Sequence, residues 1–510
     1  MRIITKIFII AVHIFTFQIN INAQNSEECT IGVASGDATS DGRPIIWKTR
    51  DYSSAPNNEL VFNTSFDLKF LEIVTAGKTY AWMGVNENGF AILNSLAVDL
   101  TAGSSGVSNG ALMRDVLGSC STIAEFQSFL DETNSSGRKT RGNFAVLDKT
   151  GQAALYEIDG TQYWKYSTDD STHAPDGYII RTNFALNGDG TSGSGYERFE
   201  RSTDLIYSFY QGDTLNYKSI LRHQMRDFSD FDAQGVNVPF ADEWISGRPF
   251  GYIYTDKSVC RASSISSTVI QGVLSGESEK LSTMWTILGQ PAASIAVPYW
   301  PVGATPDKAN GSSTAPLCDI ALQIKSELFD YSENSNYIDS YKLLDGTGGG
   351  LWTKTFPAED SIFYSAEQLL SGWRSNTVNT QEMLTAESEF ATFAYNVLTQ
   401  AYTDLITSVP DANSEIQPNS FNLSQNYPNP FNPSTKIEFN IPNSGHVVLK
   451  IFDVLGKEVE TLVDEPKLRG RYNVTWNVST SNLSSGVYTY RIFVKGDKNF
   501  IASKKLILIK

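Results

Sequence analysis

The sequence offers four histidines: His13 in an N-terminal apolar run, His446 in a strand-rich C-terminal portion, and only His173 and His223 between them. That scarcity argues against a histidine-rich metal site. No Gly-x-Ser-x-Gly elbow precedes a helix-like stretch, although a Ser–His–Asp or Cys–His arrangement remains open. A nucleophile at a chain terminus needs no histidine, because its own α-amine accepts the proton near neutral pH. Cys29 is placed for that chemistry. Removal of everything before it would put a thiol and a free amine on one residue.

The leader supports such a removal. Met1-Arg2 and Lys6 are basic, Ile7 to Phe17 is apolar, and Ile21-Asn22-Ala23 offers a small-residue cleavage site. This pattern predicts a signal peptide over 1–23 and a propeptide over 24–28, Gln24-Asn25-Ser26-Glu27-Glu28. The apolar run is too short for a permanent span, and no second run of spanning length follows. Cys29 could instead be half of a disulfide or a lipid anchor. The polar residues before it lack the apolar, small-residue setting that lipid attachment requires. Cys120, Cys260 and Cys318 are too widely spaced for a zinc knuckle or a dense disulfide framework, and one bridge among them stays open.

Composition sets outer bounds. A chain of 510 residues with 41% apolar content can bury sizeable cores in more than one domain. Its net charge of −16 excludes a general nucleic-acid binder, which needs a cationic surface.

The elements that must position Cys29 are mostly strands. Thr30–Ala34 and Pro44–Lys48, divided by Ser40-Asp41-Gly42, read as an early hairpin. Further strand-like runs are Tyr80–Val85, Ala91–Leu96, Asn143–Leu147, Ala153–Ile158 and Tyr178–Thr182. Helical patterns cover Leu112–Leu117, Thr122–Glu132 and Gln381–Val409, the second opened by a capping-box pair, Thr122 and Glu125. Many strands with few interleaved helices predict an α+β body over 29–408. A turn-rich linker follows at 409–420. From 421 to 510, alternating strands at Lys436–Ile441, Val447–Phe452, Gly470–Trp476, Gly486–Phe493 and Lys504–Ile509 predict a small Ig-like antiparallel β-sandwich.

That C-terminal portion resembles the sorting domain of the type IX secretion system. The likeness rests on Asn426-Tyr427-Pro428-Asn429-Pro430-Phe431, Phe452-Asp453-Val454-Leu455-Gly456, Ser485-Gly486-Val487-Tyr488 and Lys504-Lys505-Leu506. It implies the type IX machinery as partner, removal of this module, and a secreted or cell-surface location.

The body resembles the N-terminal-nucleophile cysteine amidohydrolases of the choloylglycine hydrolase and isopenicillin-N acyltransferase-like group. Five pieces in family order carry this: Cys29-Thr30; Gly42 to Asp51; Gly84-Val85-Asn86-Glu87-Asn88-Gly89-Phe90 with Asn94 after it; Ile180-Arg181-Thr182-Asn183; and Ser258-Val259-Cys260-Arg261. The resemblance implies a four-layer αββα body and no metal or cofactor. Cys29 would attack an amide carbonyl to give a thioester, its α-amine carrying the proton to the leaving amine. Asp51 would orient that amine, Asn94 and Asn183 would donate to the oxyanion, and Arg261 would lower the thiol pKa. Asn86 and Asn88 read as turn formers. Bile-salt-type members carry arginine where this chain has Lys48, with Arg50 displaced by two, which argues against narrow bile-salt specificity. Lys48 and Trp285 are the candidate substrate-binding residues. The aromatic stretch from Trp285 to Trp300 is either an acyl-pocket wall or core.

The expected function is a secreted cysteine amidohydrolase acting on a small linear amide. An acyltransferase or dipeptidase on the same scaffold, or a non-catalytic surface-binding protein, are the competing readings.

Overall fold

A computed structural model describes residues 27–509 except 55–56, 230–237, 239–250, 312–313, 333, 345–348, 377, 408–420, 480–482 and 497–498. The signal peptide, residues 24–26 of the propeptide and the linker expected at 409–420 lie outside the described residues.

The chain opens on the expected hairpin, β1 (Glu27–Ala34) and β2 (Ile45–Tyr52). A seven-stranded meander then pairs neighbours in sequence order: β3 (Asn58–Asn63), β4 (Phe70–Thr75), β5 (Met83–Asn86), β6 (Ala91–Leu96), β7 (Gly142–Leu147), β8 (Ala153–Ile158) and β9 (Tyr163–Ser167). Between β6 and β7 run α1 (Asn109–Leu117) and α2 (Ile123–Asn134). The Thr122–Glu125 capping box forms: Glu125 N–H donates to Thr122 Oγ1 at 3.2 Å, and Glu125 Oε2 accepts Thr122 N–H at 3.1 Å. β10 (Tyr178–Arg181) returns to the far side of β1 and leads into α3 (Tyr196–Gln211). β11 (Ser264–Gln271), β12 (Thr283–Leu288) and β13 (Val297–Tyr299) complete a six-stranded antiparallel sheet in the order β10-β1-β2-β11-β12-β13. The body ends in α4 (Pro316–Leu328), α5 (Trp352–Ser375) and α6 (Thr380–Thr407).

Three apolar layers hold this stack together. Cys29, Ile31, Val33 and Ile46 of one sheet meet Leu71, Ile73, Leu93, Ala145 and Leu155 of the other. Trp47, Trp285, Ile287 and Trp300 face Ile206 of α3 and Phe363 and Leu370 of α5. Phe90, Ile92, Phe144 and Val146 face Leu112 and Met113 of α1 and Phe126 of α2. Helix, sheet, sheet, helix is therefore the order of layers, as expected. Most strands of the central sheets, such as β2, β7, β8 and β11, are buried on both faces, so hydrophobic alternation is weak there.

The tail forms two packed antiparallel sheets. One pairs Asn422–Leu423, Ser434–Ile441 and Gly470–Asn477; the other pairs Glu458–Lys467, Gly445–Phe452, Gly486–Gly496 and Phe500–Leu508. Ile437, Phe439 and Trp476 of the first pack against Leu449, Ile451 and Tyr490 of the second. The strand Glu458–Lys467 escaped the sequence reading because its charged residues hide the one deeply buried position, Val463.

Candidate active site

Register places the site. Because β1 and β2 form a tight antiparallel hairpin, Cys29 stands opposite Arg50, Ile31 opposite Lys48, and Glu28 opposite Asp51. Side chains alternate across a sheet, so Cys29, Lys48 and Arg50 share the face toward the second sheet. Glu28 and Asp51 share the other.

On the inner face the Cys29 thiol is fully buried, 0% exposed. Burial pushes its pKa up to about 12; Lys48 and Arg50 oppose this, and Glu27 and Asp51 add to it. Glu27 Oε1 lies 3.9 Å from Cys29 Sγ, 3.0 Å from Arg50 Nε and 3.7 Å from Lys48 Nζ. Arg50 also donates to Asn58 Oδ1 at 2.6 Å and stacks on the Trp82 ring at 4.1 Å. Lys48 Nζ donates to Asn94 Oδ1 at 3.0 Å and to the Trp82 carbonyl at 3.1 Å. An ammonium can only donate, so the Asn94 oxygen must face it, and Nδ2 is left buried with no partner among the described residues.

On the other face the peptide flanking Cys29 is gripped from both sides. Cys29 N–H donates to Asn183 Oδ1 at 2.9 Å, and Arg198 Nη1 donates to the Cys29 carbonyl at 2.8 Å and Thr30 Oγ1 at 3.1 Å. Arg198 Nη2 donates to the same Asn183 oxygen at 2.9 Å. Asn183 Nδ2 donates to the Leu96 carbonyl at 2.8 Å and the Glu27 carbonyl at 3.4 Å. Asp51 receives the Ser264 hydroxyl at 2.6 Å and lies 3.1 Å from Arg261 Nε and 3.9 Å from Arg198 Nη1. Burial raises its carboxyl pKa, against the pull of Arg261, Arg198 and Ser264. The Glu28 carboxylate sits between the same two guanidiniums, 3.3 Å from Arg198 Nη2 and paired with Arg261 Nη2.

Cys29, Asp51, Asn94, Asn183, Arg261 and Lys48 are thus gathered around one peptide bond, Glu28–Cys29. Two expectations are corrected. Arg261 pairs with Asp51 and Glu28, while the cations that oppose the rise in thiol pKa are Lys48 and Arg50. Trp285 is core: it stands in register with Val269, Trp47 and Gly32 on the helix-facing side, stacked on Tyr217 with ring centroids 4.2 Å apart. A one-residue change of parity puts it on the opposite face from the thiol.

Sequence reasoning missed Arg198, Ser264 and the role of Arg50. Arg50 was readable, since a shift of two along a strand keeps the face. Arg198 had no local signal, lying in the first turn of a helix whose outer face is polar. Cys120, Cys260 and Cys318, like Cys29, are free and buried, so no bridge joins them. Asn86 ties its own turn: Oδ1 accepts from Asn88 N–H at 3.1 Å and Phe90 N–H at 3.0 Å, and Nδ2 reaches the Leu117 and Cys120 carbonyls.

Residues 38–231 match the family described as acyl-coenzyme A:6-aminopenicillanic acid acyl-transferase, and residues 425–510 match the secretion system C-terminal sorting domain. A search of curated proteins finds no match. Similar solved structures include a penicillin V acylase from Agrobacterium tumefaciens, 13% identical, covering 53% of this chain and 85% of that one, TM-score 0.33. A conjugated bile acid hydrolase from Clostridium perfringens is 12% identical, with 51% and 89% covered and a TM-score of 0.31. An N-acylethanolamine-hydrolyzing acid amidase ortholog from Caenorhabditis elegans is 12% identical, with 48% and 92% covered and a TM-score of 0.30.

Proposed function

We propose that this chain joins a body of the N-terminal-nucleophile amidase and acyltransferase type to a type IX secretion sorting domain, and that it is an exported cysteine amidohydrolase activated at Glu28–Cys29; the family matches over residues 38–231 and 425–510 support this reading. The observation that carries this reading is the double grip on Cys29, its N–H on Asn183 and its carbonyl on Arg198, beside the buried carboxylate of Asp51. Those contacts fix the atom that becomes the α-amine, while the thiol projects toward Lys48 and Asn94.

The self-cleavage balances as an acyl shift. Cys29 Sγ attacks the Glu28 carbonyl, the C–N bond breaks, and the thiol proton ends on the new amine. Water then hydrolyses the thioester and releases the propeptide. A substrate amide would follow the same course, with the α-amine as base and Asp51 orienting it. The unpartnered Asn94 Nδ2 is a preset donor for the oxyanion, a contribution of about 3 kcal/mol where such donors are prealigned. Transfer of the acyl group to an amine instead of water would use the same intermediate.

Intact mass of the purified protein tests this. The expected mature chain begins at Cys29 and turns over members of a panel of acyl-amino acids, penicillins and bile conjugates. Cys29→Ala should retain Glu27-Glu28 and show no turnover above background. A wild-type chain that keeps both glutamates, or a Cys29→Ala chain that is processed and active, would end the reading.

A further inference from the structure

The Glu28 carboxylate occupies a place built for a carboxylate. It lies between Arg198, buried at 1% exposure, and Arg261, and it opens onto a cavity of about 700 Å³ lined also by Asp51, Ser263, Lys325 and Phe329. Lys325 is partly buried there, and its ammonium makes no ion pair or hydrogen bond among the described residues. When the propeptide leaves, two guanidiniums and a new ammonium face the buried carboxylate of Asp51, with Asp256 the other acidic residue of the cavity lining, near Arg261. Buried charges persist at low cost only when paired. The vacated place therefore favours another anion.

Self-cleavage says on which side of the amide that anion sits. Glu28 supplies the carbonyl that Cys29 attacks, so the propeptide is the first acyl group the thiol carries. Cα, Cβ and Cγ separate that carbonyl from the carboxylate, as the methylenes do in a glutaryl amide. Building on the cysteine-hydrolase reading, we propose that the Arg198–Arg261 cradle is an acyl-side carboxylate subsite. The enzyme then acts on amides whose acyl group ends in a carboxylate, of glutaryl or glutamyl type, and Glu28 blocks the subsite until processing.

The test uses mature protein, and a second preparation in which the initiator Met directly precedes Cys29, so that the N-terminus does not depend on self-cleavage. Calorimetry with glutarate should give binding at least tenfold tighter than with glutaramide. Unprocessed Cys29→Ala protein, with Glu28 in place, should bind glutarate at least tenfold more weakly, and Arg261→Gln should lower the mature affinity similarly. Glutaryl-p-nitroanilide should exceed pentanoyl-p-nitroanilide by tenfold or more in kcat/KM. Equal binding by the unprocessed chain, or no preference for glutarate by either mature preparation, overturns the subsite. So does a preference confined to a carboxylate on the amine side, read by comparing pentanoyl-glutamate with pentanoyl-glutamine. Retention of Glu28 in the self-processed sample, with glutarate still bound by the preparation starting at Cys29, would fault the processing reading alone.

Discussion

At the scale of single residues, the unprocessed chain holds the thiol proposed as nucleophile in a protonated state. Burial sets the Cys29 pKa at about 12, and Lys48 and Arg50 do not cancel that penalty while Glu27 stands beside the sulfur. An acid with a pKa above the working pH has a thiolate fraction that rises tenfold per pH unit. Self-cleavage of purified precursor, followed by intact mass, should therefore quicken about tenfold for each unit between pH 7 and pH 9. Glu27→Gln, which removes a charge that raises the pKa, should speed it at every pH. A flat profile would mean that a neighbouring base takes the proton, and would sink this account. Cys29 and Asp51 were legible because one hairpin carries both and local motifs mark them. Arg198 was not, since it comes from a different element and is defined only by what it reaches.

At the scale of elements, the layers constrain chemistry through parity. The same strand β2 sends Lys48 and Arg50 to the thiol and Trp47 to the helix layer, where its indole lies across Gly32 and leaves no room for a Cβ. The hairpin, the meander strands and the capping box could be read from turns and caps. Helix α5 could not, with Pro357 inside it, nor could the side on which a fully buried strand such as β12 places Trp285. Glu387 of α6 is a second case in which packing overrides type. It is buried at 1% exposure and accepts the Trp300 backbone N–H, and burial raises its pKa well above the ordinary carboxylate value. The folded chain thus keeps a proton that the unfolded chain releases above about pH 4.3. Stability from this group is full below that pH and is lost as pH climbs toward the folded pKa. Glu387→Gln keeps the acceptor and removes the ionisation. Its thermal midpoint should match the parent near pH 4.5 and exceed it by several degrees at pH 8. A parent as stable as the variant at pH 8 would show that the carboxylate is accommodated.

At the scale of the whole molecule, export and chemistry are separable, and the buried thiols make that separation workable. An exported chain with four free cysteines risks mispairing in an oxidising compartment. Here burial is the largest cause raising every one of them, to about 12 for Cys29, Cys260 and Cys318 and about 11 for Cys120, so the reactive thiolate is scarce at all four. The residues gathered at the site and those lining its cavity fall between Glu27 and Asn336, and the sorting domain at 425–510 contributes none of them. The tail has its own apolar core, from Leu423 to Leu508, so its removal leaves the three layers of the body intact. Deleting residues 425–510 should therefore leave a folded body that still begins at Cys29 and still reacts with a thiol-directed amide. That body should accumulate in the periplasm, with none on the surface or in the medium. Cell fractionation followed by intact mass reads both properties in one sample. Export without the tail would contradict its assignment as the sorting signal, and loss of self-cleavage on its deletion would contradict the independence of the body.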